Sequence, residues 1–211
     1  MKNLLIIGAR GWGREIFGML PDCKGYGTEF VVKGFLDDKA DALDKFEGYP
    51  PIIDSVEHYE PQEDDVFVCA LGEPKWKRHY AEIMLAKGGK FINIIHKSSS
   101  IGKNTMVGQG CIISKDVSVS CDITIGNFVT IQRLTTIGHD AKIGDYSNLG
   151  SMLAICGYVS VGQEATLYPG AIVLPHISIG NKSVIGAGSV VVCRVKDSTT
   201  VFGNPAKRIN F

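Results

Sequence analysis

The chain has 211 residues, in which 22 basic side chains balance 22 acidic ones. That length allows one or two domains with a sizeable core, and the charge balance points away from nucleic acid or a membrane surface as partner. No apolar run approaches the ~18 residues of a membrane span, and the N-terminus reads as a strand, not a signal peptide. Six scattered cysteines without a Cys-x-x-Cys favour neither zinc nor a disulfide framework, so a cytoplasmic location is expected.

Leu4 to Ile7 is the first predicted strand, followed by the glycine turn Gly8-Ala9-Arg10-Gly11-Trp12-Gly13. Ile16, Phe17 and Leu20 then recur at helical spacing. A strand, a glycine turn and a helix open a nucleotide-binding βα unit, in which helix amides hold a phosphate. The spacing is G-x-x-G-x-G, which argues against a redox dinucleotide. Phe30 to Leu36 is a second strand, and its carboxyl end carries Asp37 and Asp38, either placed to grip a ribose or sugar hydroxyl or a solvated strand-to-loop pair. Asp65 to Leu71 is a third strand, ending at Gly72. A helix runs from Pro74 to Ala86, stopped by Gly88-Gly89, and Phe91 to Ile95 is a further strand. Residues 1–92 therefore form a small parallel α/β domain, and residues 93–211 a second domain with no flexible linker before it.

The second domain is set by a period of six. Seventeen hexads from Ile95 to Val191 each begin with Ile, Leu or Val, and the fourth residue after each start is small or apolar. Such hexapeptide repeats mark a parallel β-helix. Three hexads make an 18-residue triangular coil, so residues 18 apart stack at about 4.8 Å. Glycine follows the hexad start nine times, where it is expected to supply the backbone angles of the corners. The tail after Val201 is expected to fold back and cap the last coil.

Among the five histidines, His139 and His176 sit at outward hexad positions. His139 is followed by Asp140, and the residue stacked over it one coil later is Gly157. An outward imidazole beside a bare peptide amide puts a base next to an oxyanion donor. His96, His139 and His176 fall at different hexad positions, which argues against a three-histidine zinc site.

In Gly8-Ala-Arg-Gly-Trp-Gly13, Gly34-Phe-Leu-Asp-Asp38, Ala70-Leu-Gly-Glu-Pro74, Ile94-Ile-His-Lys-Ser98, Ile137-Gly-His-Asp140 and Gly203-Asn-Pro-Ala-Lys-Arg-Ile209 the chain resembles the hexapeptide sugar acyltransferases of the sialic-acid and bacillosamine-pathway type. The resemblance implies a Rossmann-like nucleotide-sugar domain, a left-handed β-helix, acetyl-CoA as cosubstrate, no metal and a homotrimer with sites between subunits. By it, His139 is the general base, Asp140 orients it, and Gly157 binds the thioester oxygen. Asn148 stands where the family carries a second histidine near the acetyl group. Pro169, Gly186, Ala187, Lys207 and Arg208 are expected along acetyl-CoA. Gly8, Arg10, Gly11, Trp12, Gly13, Asp37, Asp38 and Gly72 are expected along the nucleotide sugar, which is acetylated on an amine or hydroxyl. Two other readings share the solenoid: a catalytically inactive scaffold, and an O-acetyltransferase for a small alcohol such as serine.

Overall fold

The computed structural model describes residues 1–209, which form two compact units, one of residues 1–96 and a second from Lys97 onward. In the first unit, strands β1 (Lys2–Ile7), β2 (Phe30–Leu36), β3 (Ile52–Asp54) and β4 (Asp65–Cys69) make a parallel sheet of order β3-β2-β1-β4. Helix α1 (Gly11–Met19) lies in the crossover from β1 to β2, and α2 (Pro74–Ala86) follows β4. β4 is buried along its whole length, and so are residues 4–7 of β1. A continuous apolar run is what a sheet covered on both sides requires. Proline at the first turn of α2 costs no hydrogen bond there.

Three details differ from the sequence reading. β3 is too short and too near Pro50-Pro51 to show a strand pattern, and its pairing with β2 carries a register shift. The run from Phe91 to Ile95 is no continuous strand: Phe91 makes a lone bridge to Phe67, and only Ile94–Ile95 is extended in a ladder. β4 also stops two residues before Leu71.

Asp65, at the start of β4, has a side chain shut off from solvent. Its carboxylate accepts hydrogen bonds from Tyr59 Oη (2.7 Å), the Gln62 amide (2.8 Å) and Lys33 Nζ (3.0 Å). Burial pushes the Asp65 pKa up, but these three donors outweigh it and hold the carboxyl below its ordinary range.

The second unit is a triangular prism of two-residue parallel strands paired in steps of 18, as in Thr136↔Ala154 and Ile137↔Ile155. The first face includes Thr136–Ile137, Ala154–Ile155, Ile172–Val173 and Val190–Val191. The second includes Thr124–Ile125, Lys142–Ile143 and Ser160–Val161, and the third Thr130–Ile131, Asn148–Leu149, Thr166–Leu167 and Val184–Ile185. From Ile113 onward every hexad start is buried, and so is nearly every fourth residue after it. Hydroxyls at that inner position bond a carbonyl 15 residues on, as Thr135 does to Gly150 (2.7 Å) and Ser147 to Gly162 (2.8 Å). A small polar residue therefore stays satisfied inside the prism.

The corners correct one expectation. The left-handed residue is the third after each hexad start, from Asn104 to Gly188, with φ between 55° and 74°. Most of these are not glycine: Phe128, Leu134, Tyr146 and Tyr158 all adopt it. The coil below explains why. The left-handed turn lets the corner amide reach the previous coil, as Tyr158 N does to His139 O (2.9 Å) and Tyr146 N to Asn127 O (2.8 Å). The glycines just after the hexad start have ordinary φ, and they are needed for close approach. A Cβ on Gly138 would lie 2.5 Å from the Gly157 nitrogen, and one on Gly162 would lie 2.6 Å from the Asn181 nitrogen. The tail pairs Thr200–Phe202 with Val184–Ile185 and turns Lys207–Arg208 back antiparallel.

Gly162→Ala should lower stability by about 1–3 kcal/mol, because backbone of the next coil stands where the methyl goes. Gly18→Ala, with open space on α1, should raise it by about 0.4–1 kcal/mol; urea midpoints of the two variants check both signs. For Asp65, the lowered folded pKa places its contribution above the ordinary carboxyl value of 3.8, to be lost as pH falls through the folded value. Asp65→Asn should cost about 1.5–3 kcal/mol at pH 7, the worth of hydrogen bonds to a charged group. The gap to the parent protein should narrow on acidification below about pH 4, measured as urea midpoints across the acid range.

Candidate active site

Stacking by 18 turns each edge of the prism into columns. Along the edge between the second and third faces, the second residue after one hexad start caps the amide one coil earlier. Asn127 accepts from Gln109 N (3.0 Å), Asp145 from Asn127 N (2.7 Å) and Asn181 from Gln163 N (2.9 Å). Polar residues on this edge are structural.

The edge between the first and second faces carries a different column: Cys121, His139, Gly157, Pro175. His139 lies more than half exposed, and its Nδ1 is 2.8 Å from Asp140 Oδ2. A carboxylate at Nδ1 keeps the proton of the neutral ring there and leaves the Nε2 lone pair free as a base. The ring lies over Gly157: a Cβ on that residue would stand 2.9 Å from both Nε2 and Cε1. A side chain at residue 157 would push the imidazole from this position. The Gly157 amide donates to no acceptor among the described residues.

Further side chains complete this corner, and sequence reading did not single out their roles. Tyr158 meets His139 edge-to-face, with ring centroids 5.2 Å apart, and stacks on His176 at 4.8 Å. Asp122, one coil before Asp140, is held below the ordinary carboxyl range by the Asn104 amide (2.9 Å), then by the Cys121 thiol, with His139 adding to the effect. Counting in eighteens from His139 and Asp140 would have found all of them.

The residues expected along acetyl-CoA stand elsewhere on the prism. Pro169 and Ala187 stack on the edge between the third and first faces, where Gly188 N bonds Pro169 O (2.9 Å). Gly186 lacks a side chain because the Phe202 ring fills that space, at 2.1 Å from a notional Cβ. Lys207 and Arg208 are exposed on the returning strand. Asn148 lies on the third face between Thr130 and Thr166, with a buried Oδ1 that has no partner. Within one chain these residues are separated from His139 by the first face.

In the first unit, a cleft of about 370 Å³ opens at the carboxyl ends of the strands. Of the expected residues, Gly8, Arg10, Trp12, Asp37, Asp38 and Gly72 line it. Gly11 and Gly13 do not. A side chain on Gly13 would strike the Gly8 carbonyl at 1.8 Å, so this glycine closes α1 onto β1. Asp37 is engaged by main chain, taking Ala9 N (2.8 Å) and Lys39 N (3.0 Å). Asp38 accepts from the Tyr80 hydroxyl, and that bond, followed by burial, raises the Tyr80 pKa. Trp76 and Tyr80 also line the cleft, one turn apart on α2. The signal for them was an exposed tryptophan on a helix whose core face lay elsewhere.

Among the described residues, no three His, Cys, Asp or Glu side chains are grouped to hold a metal ion, and no helix is long and apolar enough to cross a membrane.

Residues 3–84 match the PglD N-terminal domain. PerB from Caulobacter crescentus, solved with CoA and GDP-perosamine, is 26% identical; the match spans 100% of this chain and 98% of PerB, with a TM-score of 0.89. The acetyltransferase domain of PglB from Neisseria gonorrhoeae, solved with acetyl coenzyme A, is 26% identical over 99% of each chain, with a TM-score of 0.87. WeeI from Acinetobacter baumannii, at 21% identity and a TM-score of 0.85, shares the fold over 99% of this chain and 100% of its own. The chain thus carries a PglD N-terminal domain followed by a hexapeptide β-helix, and over its whole length it is similar to sugar acetyltransferases of the hexapeptide-repeat type.

Proposed function

We propose that the chain transfers the acetyl group of acetyl-CoA to an amino group on a nucleotide-linked sugar. The observation that carries this reading is the His139 ring, fixed by Asp140 and lying over the unpartnered amide of Gly157. The acceptor nitrogen attacks the thioester carbonyl while His139 Nε2 takes its proton, a contribution of about 10²–10⁴. The developing oxyanion is received by the Gly157 amide, worth roughly 10²–10³. Collapse breaks the carbon–sulfur bond, and the imidazolium returns the proton to the CoA sulfur. The step needs no covalent enzyme intermediate.

An amine acceptor is favoured over a hydroxyl by charge. Asp122 and Asp140 face the corner on the side of the earlier coils, where anionic groups stabilise a nitrogen that gains positive charge during attack. The structure of a perosamine N-acetyltransferase from Caulobacter crescentus, 25% identical to this chain, supports the same choice. The first-unit cleft, with Trp12 and Trp76 in its lining, offers aromatic faces for a nucleobase.

One chain holds only half of this site. The base stands on one edge of the first face, and the Pro169–Ala187 column stands on the other. A three-fold assembly sets the base edge of one prism against the carrier edge of the next, and closes three equal sites.

His139→Ala should lower turnover by about 10²–10⁴ with acetyl-CoA affinity kept, and light scattering should still return a mass of three chains. Near-normal turnover would remove His139 from the mechanism, and a monomer of full activity would remove the shared site. Trp76→Ala should raise KM for the nucleotide sugar about five- to a hundredfold, the range of one base–aromatic stack. Its KM for acetyl-CoA should not change, and steady-state kinetics varying each substrate in turn measures the contrast.

A further inference from the structure

The capping column between the second and third faces has two parts. The capping side chain is Asn or Asp, and the residue before each capped amide is glycine: Gly108, Gly126 and Gly162. The glycine makes room for the cap. A Cβ on Gly108 would lie 2.7 Å from Asn127 Oδ1, one on Gly126 2.2 Å from Asp145 Oδ1, and one on Gly162 2.8 Å from Asn181 Oδ1. Even the last coil, shortened to a step of 16, keeps the device: Asp197 caps Asn181 N (3.1 Å) after Gly180.

At Gly157 both parts are replaced. The residue before it is Cys156, whose Cβ occupies the space a cap needs, and the residue one coil above is Pro175, which has no side-chain acceptor. We infer that Cys156 and Pro175 together keep the Gly157 amide uncapped, and so act as positioning residues for the oxyanion of the transfer step. The inference rests on the reading of that amide as the oxyanion donor. Among the described residues the amides of Cys121 and His139 on this edge also meet no acceptor, so the whole column is open, and Cys156 and Pro175 keep it open at Gly157.

The test rebuilds the missing cap. In the trimer without substrates, amide hydrogen exchange at Gly157 is followed by mass spectrometry, with turnover and both KM values measured alongside. Cys156→Gly combined with Pro175→Asn should slow exchange at Gly157 and lower kcat by about 10²–10³, the loss expected for one oxyanion donor. KM for acetyl-CoA should stay within a few-fold, and the melting temperature should not fall. Pro175→Ala, and Cys156→Gly with Pro175→Ala, offer no acceptor and should keep most of the turnover. Pro175→Asn alone should resemble Pro175→Ala, because the Cys156 Cβ still blocks the cap. Unchanged exchange in the Cys156→Gly/Pro175→Asn protein would overturn the inference, and so would an equal loss of turnover in Pro175→Ala. Slowed exchange with full turnover would instead remove Gly157 from the mechanism, and the reading beneath the inference with it.

Discussion

The hydrogen bond from the left-handed corner amides, Asp122 onward, to the coil below is the constraint on which the second unit depends. It fixes the coil at 18 residues, because a longer or shorter turn would misplace both the strand ladders and these corner bonds. A left-handed conformation is costly for Phe, Leu or Tyr taken alone. Here each such residue is repeated at every corner and is held on both sides by its neighbours in the stack. The corner side chains consequently point outward at fixed intervals and meet those 18 residues away. Phe128 on Tyr146 and Tyr158 on His176 are two outcomes of the same register.

A regular scaffold of this kind makes departures from regularity informative. Two edges present the same backbone, yet one is lined by Asn and Asp that close amides and the other by His139, Gly157 and Pro175. Closing amides serves stability, since an unpaired donor costs free energy wherever water reaches it poorly. On the other edge the amides of Cys121, His139 and Gly157 meet no such cap among the described residues. Preorganised donors are effective because they need no rearrangement when charge develops, and a rigid strand-and-corner lattice keeps Gly157 in place without help from its own side chain.

The inward pattern of the solenoid was legible because one residue class repeats seventeen times at one period, and no helix or simple strand does that. The reason for the glycines was not legible. Sequence shows that Gly138 and Gly162 recur after hexad starts, but only the coil above reveals that backbone fills their side-chain space. The left-handed positions were hidden for the opposite reason: a ladder that supports any residue leaves no glycine or asparagine signature. In the first unit, Asp37 followed the sugar-binding pattern, yet its carboxylate ties the Ala9 and Lys39 amides together. A motif names a residue type, while its hydrogen-bond partners depend on loops that the motif does not contain. Trp76 and Tyr80 were missed because they lie outside the glycine turn and strand ends that the pattern describes.

The separation of His139 from the Pro169–Ala187 column follows from the same geometry. A prism with three flat faces cannot fold one edge onto another, so His139 and the Pro169–Ala187 column stay apart however the side chains move. A cleft that took in both would need a second surface of matching pitch, and another copy of the same prism has that pitch by construction. On the later coils the first face and its borders expose the apolar Ile172, Leu174 and Val192, while the earlier coils of that face expose Ser118 and Thr136. The six-residue period that makes the prism triangular therefore also sets these two columns apart.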